Sequence, residues 1–115
     1  MVKLIIMLKR KDGLTHKEFA EYWERKHGPL AAKLFTKAKR YVQNHPVMLP
    51  GGKEPPIDGI AEMWFDDVES QRASAAWYQT DEGKPIRDDE AKFMDRSKMA
   101  FFLAEEKEIP LPERR

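Results

Sequence analysis

The sequence predicts an α+β domain with the element order βαββαβ, which is the ferredoxin-like pattern. Three observations support this prediction: four short segments have strand character, two segments between them have helical spacing, and the length of 115 residues suits one compact domain. Right-handed crossovers would place both helices on one face of a four-stranded antiparallel sheet. We expect this domain to occupy residues 1–106, and residues 107–115 to form a C-terminal tail.

The first half of the chain is predicted to run strand, helix, strand. Residues 2–9 form a largely apolar segment that ends in a charged turn, which is typical of a strand. Thr15 and Glu18 have the spacing of a capping box, so a helix should begin after Thr15. The Gly-Pro pair at 28–29 is expected to break or kink this helix before a second helical segment begins. Residues 40–47 then alternate as the second strand.

The second half is predicted to run strand, helix, strand after a loop rich in proline and glycine. Residues 57–65 alternate as the third strand. Asp66 is the predicted N-cap of the next helix, because a glutamate follows it three residues later. This helix should pause near the second Gly-Pro region and resume to Asp95, and residues 98–106 form the last strand. The acidic run at 88–90 is expected to be solvated surface.

Both faces of the predicted sheet carry apolar side chains. Residues 4–8 and 101–103 are apolar without interruption, so one set of side chains should face the helices and the other the open side of the sheet. A large open apolar face is unusual on a monomer. We therefore predict a homodimer in which two sheets pack face to face to form a dimeric α/β barrel.

The composition excludes several classes of function. The formal net charge is +1, which gives no reason to expect a nucleic-acid or anionic-membrane partner. The absence of cysteine excludes disulfides, thiolate catalysis and cysteine metal ligands. No apolar run reaches the length that a transmembrane helix needs. We predict a cytoplasmic protein whose partners are a second copy of the chain and a small-molecule ligand.

His27 is the first candidate catalytic residue. Imidazole titrates near neutrality, so His27 could act as a general acid or base, or it could instead stabilise the end of its helix. Tyr41 and His45 share one strand face with Gln43. This set could polarise a carbonyl oxygen, or it could be a polar rim that the dimer partner satisfies.

Aromatic and methionine side chains are candidates for a pocket that binds a flat apolar ligand, namely Tyr22, Trp23, Met63 and Trp64. Side chains of this kind are also ordinary core residues. Glu62 lies between apolar neighbours in a strand, where it could be a base or the ion-pair partner of a Lys or Arg across the dimer. The three histidines lack metal-binding spacing, so no metal or other cofactor is predicted.

Four segments, taken together and in order, resemble the EthD family: LTHKEFAEYWERKHGPL, KRYVQNH, IDGIAEMWFDD and FMD…MAFFLAEE. The resemblance extends from Val2 to about Glu106 and implies the dimeric α/β barrel fold. Fungal relatives resemble dehydratases and decarboxylases of polyketide-derived aromatics, and the wider superfamily includes heme-degrading and cofactor-independent oxygenases. His27 and Tyr41 match a helix-end histidine and a second-strand tyrosine of an isomerase in that superfamily. Met63 stands where the isomerase has a cysteine.

The residues and the resemblance together imply a cofactor-independent enzyme of the isomerase, dehydratase, cyclase or decarboxylase type. It would act by proton transfer on a small apolar or aromatic carbonyl compound. His27 would move the proton, and Tyr41 and His45 would stabilise an enolate-like oxygen. The alternatives are a non-catalytic dimeric binding or accessory protein of an oxygenase or degradation system, and a cofactor-free oxygenase.

Overall fold

A computed structural model describes residues 1–114 and contains one four-stranded antiparallel sheet. Its strands are β1 (Val2–Leu8), β2 (Arg40–Asn44), β3 (Gly59–Phe65) and β4 (Ala100–Ala104). They lie in the order β2-β3-β1-β4, with every neighbouring pair antiparallel. This order and the helical layer on one face confirm the ferredoxin-like prediction.

The helical layer has three main parts. The first is a continuous helical run made of α1 (His16–Tyr22), a π-helical segment (Trp23–His27) and α2 (Gly28–Leu34). The others are α3 (Val68–Tyr78) and α4 (Lys84–Phe93), with short 3-10 turns at Asp81–Gly83 and Arg96–Lys98. Within residues 1–114, no helix is both long enough and apolar enough to cross a membrane.

The start of α1 is the capping box that the sequence predicts. Thr15 Oγ1 accepts a hydrogen bond from the Glu18 backbone N–H at 3.1 Å, and Glu18 Oε1 accepts one from the Thr15 N–H at 2.9 Å. Leu14 packs against the core cluster that contains Phe19. The helix start is therefore fixed by two satisfied backbone donors and one apolar contact.

The predicted break at the first Gly-Pro pair is wrong, because the helix continues through it. Gly28 keeps helical dihedral angles (φ −55°, ψ −53°), and its N–H bonds to the carbonyl oxygen of Trp23. The π-helical segment shifts the hydrogen bonds by one residue, so that Pro29 falls in the first turn of α2, where its missing N–H costs nothing.

Helix α3 begins one residue later than predicted. Asp67, not Asp66, is the N-cap, since its side chain accepts a hydrogen bond from the Ser70 N–H at 2.7 Å. α4 ends at Phe93 rather than at Asp95. The strands β2, β3 and β4 are also shorter than predicted, because backbone pairing stops before the ends of the predicted segments.

The core lies between the helices and one face of the sheet. One cluster forms around Phe19, Trp23 and Phe93, and all three are buried. Gly59 at the start of β3 lies directly under Trp23: a Cβ atom there would approach Cζ3 of the indole to 2.3 Å. Glycine at this position therefore lets the indole pack on the backbone of the sheet, where burial of a large side chain contributes about 3 kcal/mol.

The other face of the sheet is not covered by helices. Glu62 on this face pairs with Lys3 of the same chain at 2.6 Å, and Asn44 donates a hydrogen bond to it at 2.9 Å. The hydrogen bond from Lys3 is the main reason that the pKa of Glu62 is lowered. Of the two expectations for Glu62, the ion pair is therefore formed, and its partner Lys3 belongs to the same chain.

Candidate functional site

A cavity of about 240 Å³ lies between the helical layer and the sheet. Most of its wall is apolar, with side chains from β1, β3 and the helical layer. A volume of this order suits a small ligand, such as one ring with short substituents. The polar side chains that line it include His27, Tyr41, Ser74, Tyr78, Glu90 and Arg96.

His27 lies in the cavity wall at the end of the π-helical segment and is 5% exposed. Its Nδ1 lies 2.8 Å from Oδ2 of Asp89 on α4. A carboxylate only accepts hydrogen bonds, so Nδ1 carries the proton and Nε2 of the neutral ring keeps its lone pair. Nε2 makes no hydrogen bond within residues 1–114. Every buried side-chain nitrogen and oxygen in that range has a hydrogen-bond partner, so Nε2 is not itself a buried atom. Nε2 is therefore open to the cavity.

Tyr22 holds Asp89 from the other side. Its hydroxyl donates to Oδ1 of Asp89 at 2.5 Å. Burial, together with the hydrogen bond to Asp89, raises the pKa of Tyr22 to about 12. Tyr22 is outside the cavity wall, so the structure places this predicted pocket residue behind the His27–Asp89 pair.

Tyr41, Gln43 and His45 form the line of polar groups that the strand pattern predicts. The Nε2 group of Gln43 donates to the Tyr41 hydroxyl oxygen at 2.9 Å and to the Trp23 carbonyl oxygen at 3.0 Å. His45 Nε2 lies 2.8 Å from the Gln43 side-chain oxygen. Gly28 allows this arrangement, since a Cβ there would lie 2.9 Å from Gln43 Nε2.

Only Tyr41 of this line reaches the cavity wall among the described residues. Its oxygen accepts from Gln43, so its proton remains available to a ligand. Burial raises the pKa of Tyr41, which keeps the phenol in its donating form. His45 packs against the ring of Trp23, with centroids 4.6 Å apart, and acts on the cavity only through its neighbours.

The predicted aromatic and methionine residues separate onto two faces of the sheet. Trp23 and Met63 line the cavity. Trp64 lies on the uncovered face, where Arg40 stacks over its ring at 4.6 Å and its Nε1 donates to Glu106 at 2.7 Å. Because side chains alternate along β3, Met63 and Trp64 cannot both face the helices. The structure therefore places Trp64 away from the cavity.

The acidic run on α4 supplies site residues that the sequence reading missed. Asp89 and Glu90 are 8% and 7% exposed, so the expectation of solvated surface is wrong for both. The signal was available: the two residues fall at helical spacing from Ile86 and Phe93, which are fully buried. Residues 1–114 contain no group of three or more His, Cys, Asp or Glu side chains placed to hold a metal ion.

The sheet order and the helical layer on one face define a ferredoxin-like α+β protein. Within that class, the EthD domain family model matches residues 11–97, and the chain belongs to the EthD family. This confirms the resemblance seen in the sequence. No curated protein matches the chain.

Solved structures share the fold along nearly the whole chain. An ethyl tert-butyl ether d (EthD) family protein from Bacillus halodurans is 29% identical with a TM-score of 0.69, and the match covers 93% of this chain and 99% of that one. A dimeric protein of unknown function from Bacteroides fragilis is 17% identical with a TM-score of 0.59, covering 90% and 94%. SnoaB, a cofactor-independent oxygenase from Streptomyces nogalater, is 13% identical with a TM-score of 0.61, covering 97% of each chain.

Proposed function

We propose that the protein is an enzyme that transfers protons on a small apolar or aromatic carbonyl compound without a cofactor. The isomerase, dehydratase, cyclase and decarboxylase types all use this chemistry. The observation that carries the proposal is the imidazole of His27. It is buried in an apolar cavity, its Nδ1 is held by Asp89 and its Nε2 is open to the cavity.

His27 would act as the general base. Nε2 takes a proton from a C–H group next to the ligand carbonyl, and the Asp89 carboxylate stabilises the imidazolium that forms. General-base catalysis of this kind contributes roughly 10²- to 10⁴-fold in rate. The surrounding apolar wall lowers the local dielectric, so the attraction between the imidazolium and the carboxylate is stronger than it would be in water.

Tyr41 would stabilise the negative charge that develops on the ligand oxygen. Its hydroxyl proton is not used by Gln43, which donates to the Tyr41 oxygen instead. One donor of this type contributes about 3 kcal/mol to transition-state stabilisation. His45 would have a positioning role, because it binds Gln43 and lies outside the cavity wall. Trp23 and Met63 would flank the ligand ring.

The active form in this proposal is a homodimer joined through the uncovered face of the sheet. The structural relative from Bacteroides fragilis is described as dimeric. Phe102 on β4 is 51% exposed and pairs with Ile5 of β1 on this face. We expect sedimentation to show a dimer at micromolar concentration and Phe102→Glu to give a folded monomer. A wild-type monomer would contradict this part of the proposal.

Deuterium exchange tests the proposed chemistry. Phenylacetone is incubated with the protein in D2O, and NMR follows loss of the C–H signal next to the carbonyl. We expect the wild type to accelerate exchange and His27→Gln to lose roughly 10²- to 10⁴-fold of that acceleration. His16→Gln is the matched control, since His16 also binds an aspartate but does not line the cavity. Binding of phenylacetone without faster exchange would overturn catalysis and favour the binding protein.

A further inference from the structure

Glu90 is a buried carboxyl group in the cavity wall that the chemistry above does not use. It follows Asp89 on α4 and is 7% exposed. Its Oε1 accepts a hydrogen bond from the Tyr78 hydroxyl and lies 3.7 Å from Nε of Arg96. Its Oε2 has no hydrogen-bond partner within residues 1–114. Every buried side-chain oxygen in that part of the chain has a hydrogen-bond partner, so Oε2, which has none, is not a buried atom. Glu90 lines the cavity, and Oε2 is therefore open to it.

The surroundings of Glu90 differ from those of the carboxylates that are well paired. Asp58 has a lysine and an arginine within 3.5 Å, and Glu62 has a lysine at 2.6 Å. Within residues 1–114, the one ion pair of Glu90 is with the half-exposed guanidinium of Arg96, at a longer distance of 3.7 Å, and the negative Asp89 is its neighbour in sequence. A buried carboxylate with so little compensation is costly, so burial shifts Glu90 toward its protonated form.

The pKa of Glu90 is consistent with this geometry. Burial is the main cause that raises it, and the negative charge of Asp89 adds to the effect. The hydrogen bond from Tyr78 and positive charges on His27 and Arg96 act in the opposite direction. The balance keeps the pKa of Glu90 above its ordinary value, and a positive charge on His27 would make its proton easier to lose.

We propose that Glu90 is the second proton-transferring residue of the cavity, donating from Oε2 to the carbonyl oxygen of an uncharged ligand while His27 removes the C–H proton. This inference rests on the proposed function, and it narrows the ligand class. The negative charge of Asp89 behind His27 disfavours a carboxylate ligand, whereas a neutral ketone or lactone accepts the proton that Glu90 offers.

The proposed step is balanced without any oxidant or reductant. The C–H bond breaks and its proton forms an N–H bond at Nε2 of His27, while the C–H electron pair becomes the C=C bond of an enol. The π pair of the carbonyl moves to oxygen, which takes the proton of Glu90. The reverse step returns the imidazolium proton to the same carbon, or to the far end of a conjugated enol, and returns the enol proton to Glu90. The second route is an isomerisation.

The protonation of Glu90 is testable without any ligand or activity. We expect the infrared difference spectrum between wild type and Glu90→Gln at pH 7 to contain the band of a protonated carboxyl group. Asp88→Asn is the matched control on the same helix, since Asp88 is exposed and paired with Lys84, and its difference spectrum should show a carboxylate band instead. A carboxylate band in the Glu90 spectrum would overturn the proposal, whatever the result for His27.

Ligand binding and exchange test the remaining part. Phenylacetone should bind more tightly than phenylacetate by tenfold or more, and Glu90→Gln should change phenylacetate affinity by less than about threefold, because a neutral group replaces a neutral group. Tighter phenylacetate binding in Glu90→Gln would show an ionised Glu90 and contradict the inference. Where the wild type exchanges phenylacetone, Glu90→Gln and Glu90→Leu should lower the rate by about 10²-fold. Exchange at the wild-type rate in both variants would also contradict it.

Discussion

Two histidine–aspartate pairs lie along the same helical run of this protein, and they have nearly the same geometry. His16 Nδ1 lies 2.9 Å from Oδ1 of Asp58, and His27 Nδ1 lies 2.8 Å from Oδ2 of Asp89. The first pair joins α1 to the segment before β3, and the second joins the π-helical segment to α4. Their distances therefore give no reason to assign them different roles.

The surroundings of the two aspartates are what differ. Asp58 is 2% exposed and also accepts from the Arg10 backbone N–H at 2.8 Å and from its guanidinium at 3.0 Å, with Lys9 at 3.5 Å. The other partner of Asp89 at hydrogen-bond distance is the neutral hydroxyl of Tyr22, and the exposed Lys92 lies farther away, at 3.9 Å. The closely placed Lys9 and Arg10 make the Asp58 pair a structural connection, whereas Asp89 lies against the imidazole that lines the cavity.

The largest expected difference is catalytic. In Asp89→Asn the amide would donate to Nδ1, so the ring proton would move to Nε2 and remove the lone pair that acts as the base. We expect deuterium exchange into phenylacetone to fall by roughly 10²- to 10⁴-fold. Asp58→Asn, measured under conditions where it is folded, should exchange at the wild-type rate. Equal losses in the two variants would show that the pairs do not have separate roles.

The next expected difference is in the free energy of unfolding. Here Asp58→Asn should have the larger loss and Asp89→Asn the smaller one. Asp58→Asn leaves the charges of Arg10 and Lys9 without their buried partner, so we expect a loss of about 3 kcal/mol in the free energy of unfolding. In Asp89→Asn the side-chain oxygen still accepts from Tyr22, and the expected loss is about 1 kcal/mol. Urea unfolding at pH 7 measures both. A larger loss for Asp89→Asn would reverse the assignment.

The pH dependence of stability sharpens the same comparison. Burial alone would raise the pKa of Asp58, but hydrogen bonds from Arg10 and His16 and the charge of Lys9 hold it below its ordinary value of 3.8. A carboxyl with a lowered pKa stabilises the fold above the unfolded pKa, and this contribution is lost as pH falls through the folded pKa. The stability gap between wild type and Asp58→Asn should therefore be constant from pH 7 to about 5 and shrink below about 4.

Glu90 should show the opposite trend, because its pKa is raised in the folded protein. The wild type is then most stable relative to Glu90→Gln below the ordinary pKa of 4.5, and it loses that advantage as pH rises through the higher folded pKa. Urea midpoints measured at several pH values for both variants give the two slopes. Slopes of the same sign would show that the cavity carboxyl is paired as well as Asp58 is.

The smallest expected effect is that of Tyr22→Phe. This change removes one hydrogen bond to Asp89 and leaves the bond from His27, so we expect a loss of about 1 kcal/mol in stability. The exchange rate should fall by about tenfold or less, since the base and its proton remain in place. His45→Gln is the comparison variant for this measurement, since His45 also lies outside the cavity wall. A loss of exchange rate in Tyr22→Phe as large as that in Asp89→Asn would indicate that Tyr22 itself transfers protons.

The sequence predicted the elements that are specified locally. The capping box at Thr15 and Glu18 depends on residues three apart, and the alternation in β3 depends on neighbours, so both could be read directly. The helix end at the first Gly-Pro pair was wrong because a π-helical turn, which has no clear sequence signature, absorbs the proline. The shift from Asp66 to Asp67 is an error of one residue in an acidic pair.

The candidate site was only half predictable. His27 was predicted because imidazole titrates near neutrality, Tyr41 because it shares a strand face with other polar groups, and both because they match positions in an isomerase of the superfamily. Asp89 and Glu90 were missed because an acidic run is normally solvated, and their burial depends on how α4 packs against the first helical run. Trp64 was assigned to the pocket because the sequence does not say which face of β3 meets the helices.

The π-helical segment makes the number of residues between Trp23 and His27 important. A π turn is in effect one residue inserted into an α-helix, and one residue turns a helix by about 100°. A relative that lacks one residue between Trp23 and His27 would have a regular helix there and the same fold. Its two histidines could not then both reach their aspartates. A single-residue gap in this segment would therefore distinguish relatives that share only the fold from relatives that also share the His27–Asp89 pair.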